Sequence, residues 1–475
     1  MPSAPLPTRS AIQYEPGSYR DRNGRVFYAS GAVYRALSEQ ALHAWQTLRS
    51  KVFFGRCTGE GKLVSTEQVD PTDAPDAEVA REWAGILKHQ AIPFVSYPYE
   101  WSFGMLQDAA LLQLELLAAA LDEDMTLKDG SAFNVQWMGA KPVFIDIPSF
   151  ETLLPGEPWT GYRQFCQTCL YPLLLQAYKN VAFQPWLRGS IDGIDPEQFR
   201  NLMSVRDLLR RGVFTHVYLH AKLQRAWGQT SRNVKVELRS AGFSKALLKA
   251  NTERLAGLVR DLSWKSAQST WSDYAANNTY TETDRELKQR FVRNAVMTQP
   301  WKLVWDLGCN TGDYSRIAAE NAKYVVAMDS DHLAVERLYQ ALKADGLSSI
   351  LPLVSNVADT SPNLGWRGAE RKALIDRGKP GLTLCLALIH HIVISANIPL
   401  KEFIDWLASL GTNLVIEFVT KEDPMVKTLL RNKQDNYSDY EQGLFERWLS
   451  EAFDIACRES LTSGTRTLYY ARARL

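Results

Sequence analysis

The sequence has almost no net charge: 54 lysines and arginines stand against 53 acidic residues, a balance of +1 over 475 residues. That balance lacks the basic footprint of a nucleic-acid binder or of a protein held on an anionic membrane. Long hydrophobic runs are missing too. The longest, Leu382 to Ile394, covers 13 residues and contains Thr383, His390 and His391, which is too short and too polar to span a bilayer. The opening Met1-Pro-Ser-Ala-Pro-Leu-Pro-Thr-Arg-Ser10 has no apolar core, so no secretory signal is expected. Cysteine is sparse, six residues scattered from 57 to 457, the pattern of reduced thiols in a cytoplasmic protein. Internal repeats and low-complexity tracts are absent as well.

What is present is an ordinary globular composition, 45% hydrophobic and 23% charged, in a chain long enough for two or three domains. The first part, residues 1–150, reads as α+β. Short β-type runs separated by Gly17, Gly24 and Gly31 suggest hairpins. Helices are expected over Ser38 to Lys51, with Ser38 as cap, and over Ser102 to Asp122, where apolar residues recur at helical spacing. Residues 151–262 form a helical extension, and a Ser/Thr/Asn-rich linker with a helix occupies 263–300. Two metal-like spacings fall in the helical part, Cys166-x-x-Cys169 and His216-x-x-x-His220. Neither has the partners a zinc site needs, so both are read as core and no metal is expected.

Asp129 on a loop, Asn134 five residues on, and an apolar strand ending in Asp146 together resemble the catalytic segment of kinase-like folds. The resemblance implies that Asp129 orients an acceptor hydroxyl, with Asn134 and Asp146 holding magnesium on ATP phosphates. The pattern departs in three ways. No His or Arg precedes Asp129, Ile147-Pro148 follow Asp146, and neither a glycine-rich loop nor a strand lysine is visible in residues 1–60. The reading is a kinase-like scaffold that no longer phosphorylates.

Residues 301–475 alternate strands and helices, the signature of a doubly wound α/β sheet. Strands are expected at 302–307, 324–328, 350–354, 382–389 and 413–419, with an antiparallel hairpin at the end. The first strand runs into Asp306-Leu-Gly308-Cys-Asn310-Thr-Gly312. Glycine at 308 and 312 would let a ligand approach backbone, and the following helix N-terminus offers free N–H groups. Asp329 lies 17 residues after Gly312, where a carboxylate accepts from ribose hydroxyls. The glycines lack dinucleotide-binding spacing, no phosphate-loop lysine follows, and Asp306 would repel a pyrophosphate.

These residues, with the terminal hairpin, resemble a class I S-adenosylmethionine-dependent methyltransferase with a Rossmann-like sheet. The chain as a whole resembles a bacterial group, the nodulation-associated NoeA-like methyltransferases. The first resemblance implies S-adenosylmethionine as cofactor. Asp306, Gly308, Asn310 and Gly312 would attend its methionine part, Asp329 and Ser330 its ribose, and Asn356 and Val357 its adenine. Tyr274 and Tyr280 would close over it from the linker. His390 and His391 follow strand four, facing the methyl group, and either would serve as base. Glu417 is read as an acceptor contact or as the partner of a basic side chain. The expected acceptor is a small molecule or a peptide or protein, selected by the N-terminal domain; a nucleic acid is disfavoured, because no basic stripe is visible, and no membrane is expected. The alternatives are a bifunctional protein whose kinase-like part binds ATP, and a non-catalytic cofactor-binding scaffold.

Overall fold

The computed structural model describes residues 12–228, 243–265, 281–431, 433 and 436–474. The expected hairpin is β2 (Gly24–Ala29) and β3 (Ala32–Leu37), joined through Ser30 and Gly31. Both turn residues have positive φ, 49° and 78°, the backbone a tight two-residue hairpin requires. With β1 (Gln13–Tyr14), β4 (Thr66–Gln68) and β5 (Gly85–His89) they form an antiparallel sheet in the order β1-β2-β3-β5-β4. Helix Glu39–Arg49 starts where Ser38 accepts from the Ala41 N–H, and helix Phe103–Asp122 is capped likewise by Ser102. The second helix is long and apolar enough to cross a membrane. Here it is the central core helix of the first half, with Met105, Leu106, Ala109 and Leu116 sealed from water.

Two small antiparallel pairs follow it: β6 (Met125–Leu127) with β9 (Phe150–Thr152), and β7 (Val135–Met138) with β8 (Lys141–Phe144). Asp129 and Asn134 lie in the connection from β6 to β7, and Asp146 lies just beyond β8. In the helical extension, Cys166 and Cys169 are fully buried. His216 and His220 each pair through Nδ1 with a tyrosine hydroxyl, Tyr162 and Tyr171, both at 2.7 Å.

The second half is a seven-stranded sheet. It comprises β10 (Val304–Leu307), β11 (Val325–Asp329), β12 (Ile350–Val354), β13 (Leu382–Cys385), β14 (Asn413–Val419), β15 (Phe453–Ser460) and β16 (Arg466–Ala473). Their order is β12-β11-β10-β13-β14-β16-β15. The first five are parallel, while β16 runs antiparallel to β14 and to β15. The order reverses at β10, so the carboxyl ends of β10 and β13 diverge and leave a crevice. Strand β13 is four residues shorter than expected. The chain leaves the ladder after Cys385, passes through Ala387 at φ 51° and enters a wide, π-type helical turn, His391–Ser395.

The two halves share one continuous apolar core. Helix Phe103–Asp122 packs on helix His332–Asp345, where the Gly104 N–H donates to Glu336 at 2.8 Å and Trp137 meets Tyr339 edge-on at 5.6 Å. A Cβ on Gly104 would lie 2.5 Å from the Gln340 amide and 2.6 Å from the Glu336 carboxylate, so both side-chain ends would have to shift.

Candidate active site

A cavity of about 560 Å³ opens over the crevice, and the ends of four parallel strands wall it. Asp306, Gly308 and Asn310 come from the end of β10, Asp329 and Ser330 from β11, Asn356 and Val357 from the loop after β12, and Leu388 and His391 from the segment after β13. Eight of the ten cofactor residues expected from sequence fall on described residues, and seven of these line this one space. Tyr274 and Tyr280 lie outside the described residues.

Gly312 is the exception and does not line the cavity. Its φ is +85°, and an added Cβ would sit 2.5 Å from Leu338 Cδ1. Glycine is needed there for helix packing and for the left-handed turn, not for ligand approach. Gly308, at φ +74°, does face the cavity, and its Cβ would meet Leu388 at 3.2 Å.

Two carboxylates stand at the ends of the adjacent strands β10 and β11. Asp329 accepts from the backbone N–H groups of Asn310 and Asp331, both at 2.8 Å. That ties the glycine turn to the end of β11 and holds the carboxylate at the rim. Burial nevertheless pushes its pKa up. Asp306 is 2% exposed and accepts from the Ser315 hydroxyl at 2.5 Å. Burial, with repulsion from Asp329, pushes its carboxyl up to about 7. A bound cation would relieve both.

The histidines part company. His391 lines the cavity. His390 is fully buried and does not line the cavity, and neither ring nitrogen has a hydrogen-bond partner among the described residues. Burial pushes His391 down to about 4, helped by nearby Arg466, so its imidazole is neutral across the neutral range. Of the two histidines expected to face the methyl group, His391 is the one that lines the cavity.

Sequence reasoning missed the opposite wall. Arg285 and Lys288, three apart on one face of helix Glu282–Val296, and Tyr314 all line the cavity. Lys288 stands over the Tyr314 ring at 4.8 Å and pairs with Glu417 at 2.7 Å. Glu417 also takes Arg466 at 3.3 Å, and Arg466 takes Asp423 at 2.8 Å. Glu417 is thus a structural counter-ion and not among the lining residues. Only the amphipathic spacing of 285 and 288 hinted at this wall.

No family model matches the chain. Over almost its whole length it is similar to nodulation protein NoeA of Rhizobium meliloti (strain 1021), at 34% identity over 477 residues, covering 98% of this chain and 96% of that protein. The chain belongs to the NoeA family. Among solved structures it is similar to the N-methyltransferase NodS of Bradyrhizobium japonicum WM9, at 12% identity over 41% of this chain and 98% of that one, TM-score 0.31. It is also similar to an S-adenosylmethionine-dependent methyltransferase of Aquifex aeolicus, at 17% identity over 43% and 98%, TM-score 0.30. The strand order, the reversed β16 and the acids at the ends of β10 and β11 give the second half of this NoeA-family chain the arrangement that the sequence resemblance implied for an S-adenosylmethionine-dependent methyltransferase. The donor set fits that cofactor. Two carboxylates and a glycine turn suit an ammonium and a ribose, and no basic residue stands in the turn to hold a phosphate.

Proposed function

We propose that this protein methylates a small-molecule or peptide acceptor that enters beside His391, with the first half contributing to acceptor selection in a cytoplasmic enzyme. The observation that carries the reading is Asp329, a half-buried carboxylate held by two backbone amides at the rim of the cavity. In this reading Asp329 takes the ribose hydroxyls, Asp306 stands behind the amino group, and Asn356 and Val357 flank the adenine. S-adenosylmethionine supplies a methyl group already activated by a sulfonium. The protein's share is proximity and alignment, with a neutral imidazole at His391 to take the acceptor's proton. Leu388 and Ile392, beside it, help keep water from the reacting atoms.

The test is transfer of tritiated methyl from the cofactor into fractionated cell extract. Labelling by the wild type and its loss in Asp329→Ala are expected, whereas equal labelling by the two would overturn the ribose assignment. Binding without transfer to any fraction would favour the scaffold alternative. The ATP-binding alternative meets a specific obstacle. Asp146, the carboxylate that would hold magnesium, pairs with Arg35 of β3 at 2.9 Å. No thermal shift with magnesium-ATP is therefore expected; a shift abolished by Asp146→Ala would restore that reading.

A further inference from the structure

The segment between β12 and β13 is longer than a crossover needs, and its contacts lead away from its own sheet. It begins at the cavity with Ser355, Asn356, Val357 and Ala358. The next residue, Asp359, is gripped in bidentate fashion by Arg188 of helix Gln184–Gly189, at 2.9 and 3.0 Å, and Arg188 also reaches the carbonyls of Asp359 and Thr360 at 3.2 Å. Ser361 then donates to Glu100 at 3.0 Å. Further on, the fully buried Arg377 makes a fork to both Glu100 oxygens at 2.7 and 2.6 Å and donates to the Val95 carbonyl at 3.0 Å.

Between these anchors, three consecutive residues are held by separate parts of the first half. Glu370 accepts from Tyr19 at 2.6 Å and from Arg20 at 2.6 and 3.0 Å. Arg371 lies over the Phe133 ring at 4.3 Å, next to Asn134. Lys372 pairs with Glu15 at 2.6 Å and stands over Tyr28 of β2 at 5.3 Å, and its N–H donates to Tyr97 at 2.8 Å. The sheet, the connection near residue 97 and the loop carrying Phe133 all converge on this stretch. In a kinase-like fold, the nucleotide would lie between the sheet and that loop. Here the chain's own second half fills their meeting place.

We propose that residues 355–377 form a strap through which the first half fixes the adenine end of the cofactor cavity, with Arg188 as its principal positioning residue. The inference rests on the reading of Asn356 and Val357 as adenine neighbours. Arg188 touches neither cofactor nor acceptor. It acts through Asp359, two residues from Val357, by holding the wall in its binding geometry before the cofactor arrives. Preorganisation of this kind shows as affinity and not as chemical rate. The first half then works as a clamp on the methyltransferase, with the strap seated where its sheet and the loop carrying Phe133 meet.

The test titrates S-adenosylhomocysteine into the full chain by isothermal calorimetry, comparing the wild type with Arg188→Glu, the double variant Arg188→Glu/Asp359→Arg, and Asp329→Asn. The pair is partly exposed, its side chains 32% and 69% accessible, so reversing one charge is expected to weaken binding about threefold, and the double variant to regain most of the loss. The KM for S-adenosylmethionine should rise in step, while kcat at saturation stays within about twofold. Wild-type affinity in Arg188→Glu would overturn the strap. So would a double variant no better than the single one, because the loss would then be general destabilisation. Unchanged binding in Asp329→Asn would instead overturn the cofactor reading beneath it.

Discussion

The Lys288 ammonium and the Glu417 carboxylate lie 2.7 Å apart with side chains 3% and 0% exposed, joining helix Glu282–Val296 to the middle of β14. Burial pulls the Lys288 pKa down while Glu417 pulls it back up. The same carboxylate also serves Arg466, which holds Asp423 as a second anion, so two buried cations share Glu417. Glu417→Ala is expected to destabilise the fold by about 3–5 kcal/mol, the cost of breaking a buried ion pair from one side. Lys288→Met should cost less, since Glu417 keeps Arg466. Urea denaturation followed by tryptophan fluorescence measures both, and a Glu417→Ala loss no greater than that of Lys288→Met would contradict the shared-anion account.

Asp306 sets a pH dependence. Its folded pKa of about 7 lies above the unfolded value, so its contribution to stability is full below the unfolded pKa and is lost as pH rises through about 7. An ammonium placed beside it favours the ionised form, which reverses the preference on binding. Cofactor affinity should therefore climb between about pH 6 and about pH 7.5, with net proton release near the lower end. Calorimetry in buffers of different ionisation enthalpy reads the proton, and Asp306→Asn should flatten the profile. A proton count of zero in the wild type at the acid end would refute the assignment.

The two histidines should separate by readout. His391→Asn is expected to lower kcat about 100-fold, the usual worth of a general base, with little change in S-adenosylhomocysteine affinity. His390→Gln should leave kcat near the wild type and act mainly on thermal stability, since His390 is fully buried outside the cavity. Because His391 sits at about 4, the acid limb of kcat should fall well below the ordinary imidazole value. A limb near about 6.5 would point to another base.

Gly312→Ala tests packing against ligand approach. The added Cβ would meet Leu338 at 2.5 Å in a left-handed backbone, and a destabilisation of about 1–3 kcal/mol is expected. Affinity for S-adenosylhomocysteine, measured well below the melting temperature, should change much less. A large affinity loss in a variant of unchanged stability would return Gly312 to the ligand.

The sequence alone determined the second half closely. Strands β12 and β14 begin and end where the apolar runs do, Asp306 and Asp329 stand at adjacent strand ends, and the terminal hairpin closes the sheet. These are local facts, set by short apolar runs and glycine punctuation, and they survive folding because a parallel sheet aligns strand ends in one crevice. The same local logic found the helix cap at Ser38. Only the tertiary structure decided which histidine faces the cavity, since the chain turns at Ala387 after leaving β13 early and no periodicity records that turn. It also decided that Gly312 serves Leu338, that Glu417 serves Lys288 and Arg466, and that Arg188 reaches Asp359, 171 residues away. Each of these is a contact between side chains distant in sequence, made when two separately patterned halves bury their surfaces in one core.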